Sequence, residues 1–179
     1  MKFQINSRFI ARQAAIATLY TVLTLSGFGL SYGPIQFRFS EVLTWLAFYD
    51  PKNIFGLTLG CFLSNMTSPY GIIDMVIGSL GTFLAVSLMA KSKSRPLASI
   101  WPAVFSFLYS GEALFLGEIT PNLFPIVTLQ IMVSQLIIVA VIGLPMISFL
   151  EKNTRFTEVI IDPTMPPTKE ARIYSPHRL

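Results

Sequence analysis

The chain has 179 residues, of which 53% are hydrophobic and 12% charged, with a formal net charge of +4. Soluble domains carry about 25% charged residues, so half of the usual charge is missing, and a mean hydropathy of +0.62 makes the composition that of a membrane protein rather than of a disordered chain. One cysteine, Cys61, and one histidine, His177, exclude a disulfide framework and a zinc site built on two imidazoles, and leave a Cys/His nucleophile only as a pairing of mid-membrane Cys61 with a terminal tail.

A helix needs about 20 mostly apolar residues to cross roughly 30 Å of hydrocarbon. Residues 10–30 meet this with only Arg12 near their start. A Lys2 region ahead of this run resembles a signal peptide, but the run exceeds the usual apolar core of about 7 to 15 residues and is read as a span. Residues 34–66 are divided by Asp50-Pro51-Lys52-Asn53 into two short apolar pieces, either one broken span or two short ones. Residues 72–90 carry only Asp74, residues 97–116 only Glu112, and residues 123–150 no charge. Lys and Arg gather in cytoplasmic loops. Two pieces within 34–66 place every basic residue except Arg38 on the cytoplasmic side, whereas one broken span puts the loop of Lys91, Lys93 and Arg95 outside. The expectation is therefore an all-α, multi-pass integral membrane protein: a compact bundle of six transmembrane helices over residues 1–150, N-in and C-in. Residues 151–179 then form a cytoplasmic tail. With Pro163, Pro166, Pro167 and Pro176 and few large apolar residues it cannot build a core, and nothing in it resembles a nucleic-acid-binding patch.

Small side chains let helices approach closely in lipid. Gly56, Gly60 and Ser64 form one such stripe and Gly78, Gly81 and Ala85 another, both expected to pack inside the bundle. Ala11 and Ala15, with Ala14 and Thr18 beside them, form a third. It lies among basic residues, and on spacing alone it fits internal packing and a partner-docking surface equally.

Ionisable side chains in membrane segments cost from about 2.5 kcal/mol upward at the centre and are functional candidates by default. Arg38, Glu41, Asp74, Glu112 and Glu118 all fall in the outer half of the expected bundle. Four carboxylates against one guanidinium make that half acidic, able to draw in a cation or an amine. Arg38 and Glu41, three apart, can pair with each other, which leaves Asp74 and Glu112 as the stronger ligand candidates. The amides Gln36, Asn65 and Gln130 fit ligand contacts, helix caps or helix-to-helix bonds. Tyr32, Tyr70 and Tyr109 suit stacking on a flat ligand, although an interfacial aromatic belt explains them better. Trp45 and Trp101 read as interfacial anchors. The loops around Tyr32-Gly33-Pro34 and Ser68-Pro69-Tyr70-Gly71 bracket the acidic set as turns or lids. No Gly-x-x-x-x-Gly-Lys-Ser/Thr, Gly-x-Ser-x-Gly or His-Glu-x-x-His pattern occurs, so the chain has no ATP-hydrolysing phosphate loop and no sequence mark of an enzyme.

Ile35-Gln36-Phe37-Arg38-Phe39-Ser40-Glu41, Asn65, Gly71-Ile72-Ile73-Asp74 and Gly78-Ser79-Leu80-Gly81-Thr82 together resemble the QueT family. The resemblance runs from about Arg8 to Leu150. That family is similar to the substrate-binding S components of energy-coupling factor (ECF) transporters and is associated with uptake of queuosine precursors. The resemblance implies a cell-membrane subunit without cofactor or metal that binds a deazaguanine base from outside. It also implies partners: a transmembrane T subunit and two ABC ATPase subunits, with Ala11 and Ala15 matching the Ala-x-x-x-Ala pattern that meets the T subunit. A guanine-like edge offers adjacent N–H donors to one carboxylate, and an aminomethyl substituent needs a second. Glu41, Asp74 and Glu112 compete for those two tasks. Gln36, Asn65 and Gln130 would read the carbonyl and ring nitrogens, and Arg38 would orient a carboxylate. A stand-alone secondary transporter of a small amine or nucleobase-like vitamin, with Asp74 or Glu112 carrying a coupling proton, is the main rival; a membrane-embedded enzyme or a structural assembly factor is a weaker one.

Overall fold

The structure, a computed structural model, describes residues 6–31 and 36–153. Among these residues every regular element is helical. In chain order they are α1 (Ser7–Ser26), the single turn α2 (Phe28–Ser31), a 3-10 segment (Phe39–Thr44), α3 (Trp45–Tyr49), a short 3-10 turn (Pro51–Asn53), α4 (Ile54–Asn65), α5 (Ile72–Lys91), α6 (Arg95–Val104), α7 (Ser106–Phe115), α8 (Phe124–Leu136), a π-helical stretch (Ile137–Gly143) and α9 (Leu144–Leu150). Most of the expected tail, with His177, lies outside the described residues, as do Lys2 and the Tyr32-Gly33-Pro34 turn.

Local chemistry sets the boundaries. Asn6 caps α1 by accepting from the Phe9 N–H at 2.8 Å. Asp50 and Pro51 end α3, because Pro51 biases the residue before it away from the helix, and the freed Asp50 side chain accepts from the Lys52 N–H at 2.9 Å. Gly71, at φ +63°, makes the left-handed turn into α5. Pro102 lies inside α6 without an N–H to give, and the helix breaks three residues later at Phe105.

These breaks correct the expected six spans. Only three helical runs among the described residues are long and apolar enough to cross a membrane: Ser7–Ser26, Ile72–Lys91 and Phe124–Leu150. The two apolar pieces of 34–66 become helices of 6, 5, 3 and 12 residues. At about 1.5 Å per residue none of them spans 30 Å of hydrocarbon. The 97–116 run becomes two ten-residue helices. An apolar window counts residues without detecting the breaks inside it, and the N-in, C-in assignment rested on that count and falls with it. Three helices long and apolar enough to cross a membrane still agree with a multi-pass membrane protein. Their outward side chains, among them Val22, Val76, Leu129 and Val141, present the apolar surface that lipid requires.

The glycine stripes pack inside the fold as expected. α1 and α4 run parallel and in close contact: a Cβ on Gly56 would lie 2.8 Å from the Gln13 carbonyl oxygen, and one on Gly60 2.7 Å from Tyr20 Cβ and 2.9 Å from the Ala17 carbonyl oxygen. The buried face of α1 is thus Gln13, Ile16, Ala17, Tyr20 and Thr24, whereas Ala11, Ala14, Ala15 and Thr18 are exposed. The segment 39–50 returns antiparallel along α1, with Thr24 bonded to Ser40 at 2.7 Å, Tyr20 to Glu41 and Arg12 to Asp50. Trp45 is no interfacial anchor. It is fully buried among Phe48, Leu57, Met89 and Val139, and its Nε1 donates to the Val139 carbonyl at 2.9 Å. That carbonyl belongs to the π-helical stretch, where Gly143 leaves the room the indole occupies. Trp101 is partly buried and donates to Ser92 Oγ at 2.8 Å.

Candidate functional site

A cavity of about 160 Å³ lies between the 66–71 turn, α7, the loop after it and α8, walled by Gln36, Tyr70, Tyr109, Glu112, Glu118 and Val127 among others. Such a volume suits one small molecule rather than a drug-sized one. Two expected site residues, Gln36 and Glu112, are in its wall. Gln36 holds φ +44°, a left-handed conformation uncommon outside glycine, at the entry to the 3-10 segment.

Four more expected residues form a buried polar cluster on the neighbouring elements. Arg38, 2% exposed, donates from Nε to the Ser31 carbonyl at 3.1 Å, and its Nη2 lies 3.8 Å from Asp74 Oδ2. Glu41 accepts from the Tyr20 hydroxyl at 2.6 Å. Asn65 Nδ2 donates to the Asp74 main-chain carbonyl at 3.0 Å. Cys61 is fully buried in this cluster: Thr82 Oγ1 is 3.2 Å, Asn65 Nδ2 3.6 Å and an Arg38 Nη1 4.0 Å from its sulfur.

Glycines on α5 join the cluster to the cavity. A Cβ on Gly78 would collide with Asn65 Nδ2 and lie 3.0 Å from Asp74 Oδ1, so the missing side chain leaves a notch that both groups enter. A Cβ on Gly81 would lie 2.8 Å from the hydroxyl of Tyr109, the same Tyr109 that lines the cavity. Residues 74, 78 and 81 share one helix face.

Hydrogen bonding is incomplete in the cluster and at the cavity wall. Both Asp74 carboxylate oxygens, Asn65 Oδ1 and Glu112 Oε1 are buried and accept no hydrogen bond. Nearly all buried polar groups in proteins find partners, and one left without costs about 1 to 3 kcal/mol. Glu112 lies outside the three spanning helices. Its burial, reinforced by the nearby Asp74 charge and opposed by Arg38, pushes its carboxyl up to about 7. Tyr70 at the cavity rim is pushed up to about 12, first by burial and then by the neighbouring Glu118 carboxylate.

Gln130 does not join the site. It is exposed, because Val127 and Ile131 take the cavity face of α8 and Gln130 sits about 100° round the helix from Ile131. Tyr70, Tyr109 and Glu118 line the cavity although they were outside the expected site set. Their signal was the Tyr and Glu content of the segments flanking Asp74 and Glu112, which a membrane-interface belt explained as well. Tyr20 and Cys61 had no such signal.

The sequence pattern of the family described as QueT transporter matches residues 10–152. A curated relative, the queuosine precursor transporter QueT of Lactococcus lactis subsp. cremoris (strain MG1363), is 43% identical over 77 residues. That stretch is 42% of this chain and 45% of the relative, so the match spans a little under half of the relative's length. No solved structure matches the chain.

Proposed function

This chain belongs to the QueT transporter family, and from that premise we propose that it is the substrate-capture S component of an ECF-type importer in the cell membrane, binding a queuosine precursor, a deazaguanine base, from outside. Membership in a family of transporters makes it a transport protein and not an enzyme. The observation that carries the substrate reading is the set of buried acceptors without donors, Asp74, Asn65 and Glu112, beside a cavity sized for one small molecule. A deazaguanine supplies what they lack: N–H groups along its pyrimidine edge and, in the aminomethyl form, an ammonium. Gln36 at the wall offers an amide for the base carbonyl, Tyr70 and Tyr109 offer ring faces, and Arg38 and Glu41 hold the cluster together. The substrate-binding unit falls within residues 1–150.

Energy would come from elsewhere, since the sequence has no phosphate loop. The partners are a transmembrane T subunit and two ABC ATPase subunits. The exposed α1 face of Ala11 and Ala15 is the docking surface for the T subunit, its small side chains allowing close helix approach.

Calorimetry on the purified chain in detergent, without ATP or partners, tests the capture role. Tight binding of the aminomethyl or nitrile form of deazaguanine, with guanine much weaker, is the expected result. Absence of binding to all three would remove the substrate assignment, and uptake by cells lacking every energy-coupling subunit would favour a stand-alone transporter.

A further inference from the structure

The acceptors without donors lie at different depths. Asn65, 0% exposed, and Asp74, 1% exposed, lie behind the cavity, whose wall reaches their helix where Tyr109 meets Gly81, and Glu112, at 7%, forms part of that wall. Glu118, further out, is exposed. Asn65 is anchored by its bond to the Asp74 carbonyl and fills the Gly78 notch, and the Arg38 guanidinium balances the Asp74 charge from 3.8 Å without occupying its oxygens as a hydrogen-bond donor. Three acceptor atoms, Asp74 Oδ1 and Oδ2 and Asn65 Oδ1, are thus held together with no donor hydrogens supplied by the described residues. A flat group with two or three adjacent N–H bonds, an amidine-like edge, matches that set. A lone ammonium matches it poorly, because Arg38 already places a positive charge there. The Glu112 position has the opposite character: one unpartnered carboxylate oxygen, a second carboxylate at Glu118 beyond it, and an open cavity.

Resting on the deazaguanine reading above, we infer that the ligand enters edge first: Asp74 and Asn65 read its amidine-like edge at the bottom of the site, and Glu112 receives a cationic substituent toward the mouth. Asn65 is then a specificity-determining residue, and its role depends on Gly78. Discrimination is strict at the deep end, where a missing donor leaves a buried acceptor unsatisfied. It is permissive at the mouth, where a neutral substituent can sit beside Glu112 in its protonated form.

Calorimetry of the full chain with three probes tests this: aminomethyl-deazaguanine, its nitrile counterpart, and the aminomethyl compound lacking the exocyclic 2-amino group. Removing the 2-amino group should weaken binding at least tenfold, and Asp74→Asn should weaken the aminomethyl and nitrile forms alike. Glu112→Gln should weaken the aminomethyl form at least tenfold and the nitrile form less than twofold, with Glu112→Asp restoring much of the loss and so separating charge from folding. If wild type binds the parent compounds but tolerates loss of the 2-amino group, or if Glu112→Gln affects both forms equally, the edge-first orientation is wrong and the capture role stands. If wild type binds none of the probes, both fail.

Discussion

Two arginines meet buried aspartates in this protein, and the two aspartates are provided for differently. Arg12 Nη1 is 3.0 Å from Asp50 Oδ2, and the other Asp50 oxygen accepts the Lys52 N–H at 2.9 Å. The same region is tied by Gln13, whose amide reaches Asn53 at 3.4 Å and accepts the Gly56 N–H at 2.8 Å, and by Asn53 donating to the Leu46 carbonyl at 3.0 Å. Arg38 stands 3.8 Å from Asp74, and neither Asp74 carboxylate oxygen accepts a hydrogen bond. Burial and charge type are alike in the two pairs, so neither marks function. What differs is the carboxylate: one with both oxygens engaged holds elements together, and one with neither engaged is poised for a molecule that brings donors.

Truncating the engaged carboxylate is the harshest test of that contrast. Asp50→Ala leaves Arg12 without its counter-charge and the Lys52 amide uncapped, and should cost about 3 to 5 kcal/mol of stability. Thermal unfolding in detergent reads it, and a loss below about 1 kcal/mol would mean that the network is not structural. At the unengaged carboxylate the effect should move from stability to affinity. Asp74→Asn should lower deazaguanine affinity by about 1.5 to 3 kcal/mol, the range for a hydrogen bond to a charged group, with a much smaller shift in unfolding than Asp50→Ala. Unchanged affinity with normal protein yield would remove Asp74 from the site.

Paired glycine substitutions sharpen the same distinction. A Cβ at Gly60 meets the Ala17 carbonyl oxygen and Tyr20 Cβ, neither of which can turn aside, so Gly60→Ala should destabilise by about 1 to 3 kcal/mol and spare affinity in the folded fraction. A Cβ at Gly78 meets the end of the Asn65 side chain, which can be displaced. Gly78→Ala should therefore weaken ligand binding more than it weakens the fold. Equal stability losses with unchanged affinity would make Gly78 a packing residue like Gly60.

Arg38, Glu41, Asp74 and Glu112 stood out in the sequence because charge is so scarce in it, and Gly56, Gly60, Gly78 and Gly81 because small residues recur at helical spacing. Neither signal contains a rotation angle, which is why Gln130 was expected in the site and Tyr109 was not. The pairing of Arg12 with Asp50 bridges two apolar segments, and hydropathy ranked Asp50 only as part of a turn. The short 3-10 and α3 pieces were equally hidden. Their residues are apolar enough for a span, and the break comes from local backbone geometry at Asp50-Pro51 together with the fit of Trp45 to the widened turn at Val139.

The smallest expected effect is a pH dependence confined to one form of the ligand. The Glu112 carboxyl is pushed up to about 7 by burial and the Asp74 and Glu118 charges, against the opposing Arg38, whereas Tyr70 at about 12 stays neutral throughout the physiological range. With the folded value above that of an unfolded glutamate, the native state holds a proton that the unfolded chain has already released. Ligand-free stability therefore falls as pH rises from about 4.5 to about 7. An ammonium ligand binds the ionised form, so between pH 6 and 8 the affinity for the aminomethyl compound should rise about tenfold, near 1.4 kcal/mol, as that carboxyl ionises. The nitrile form should show no such rise, and Glu112→Gln should flatten the aminomethyl profile. Parallel profiles for the two forms would place the titrating group elsewhere, leaving Glu112 as a wall residue and Asp74 as the carboxylate that meets the ligand.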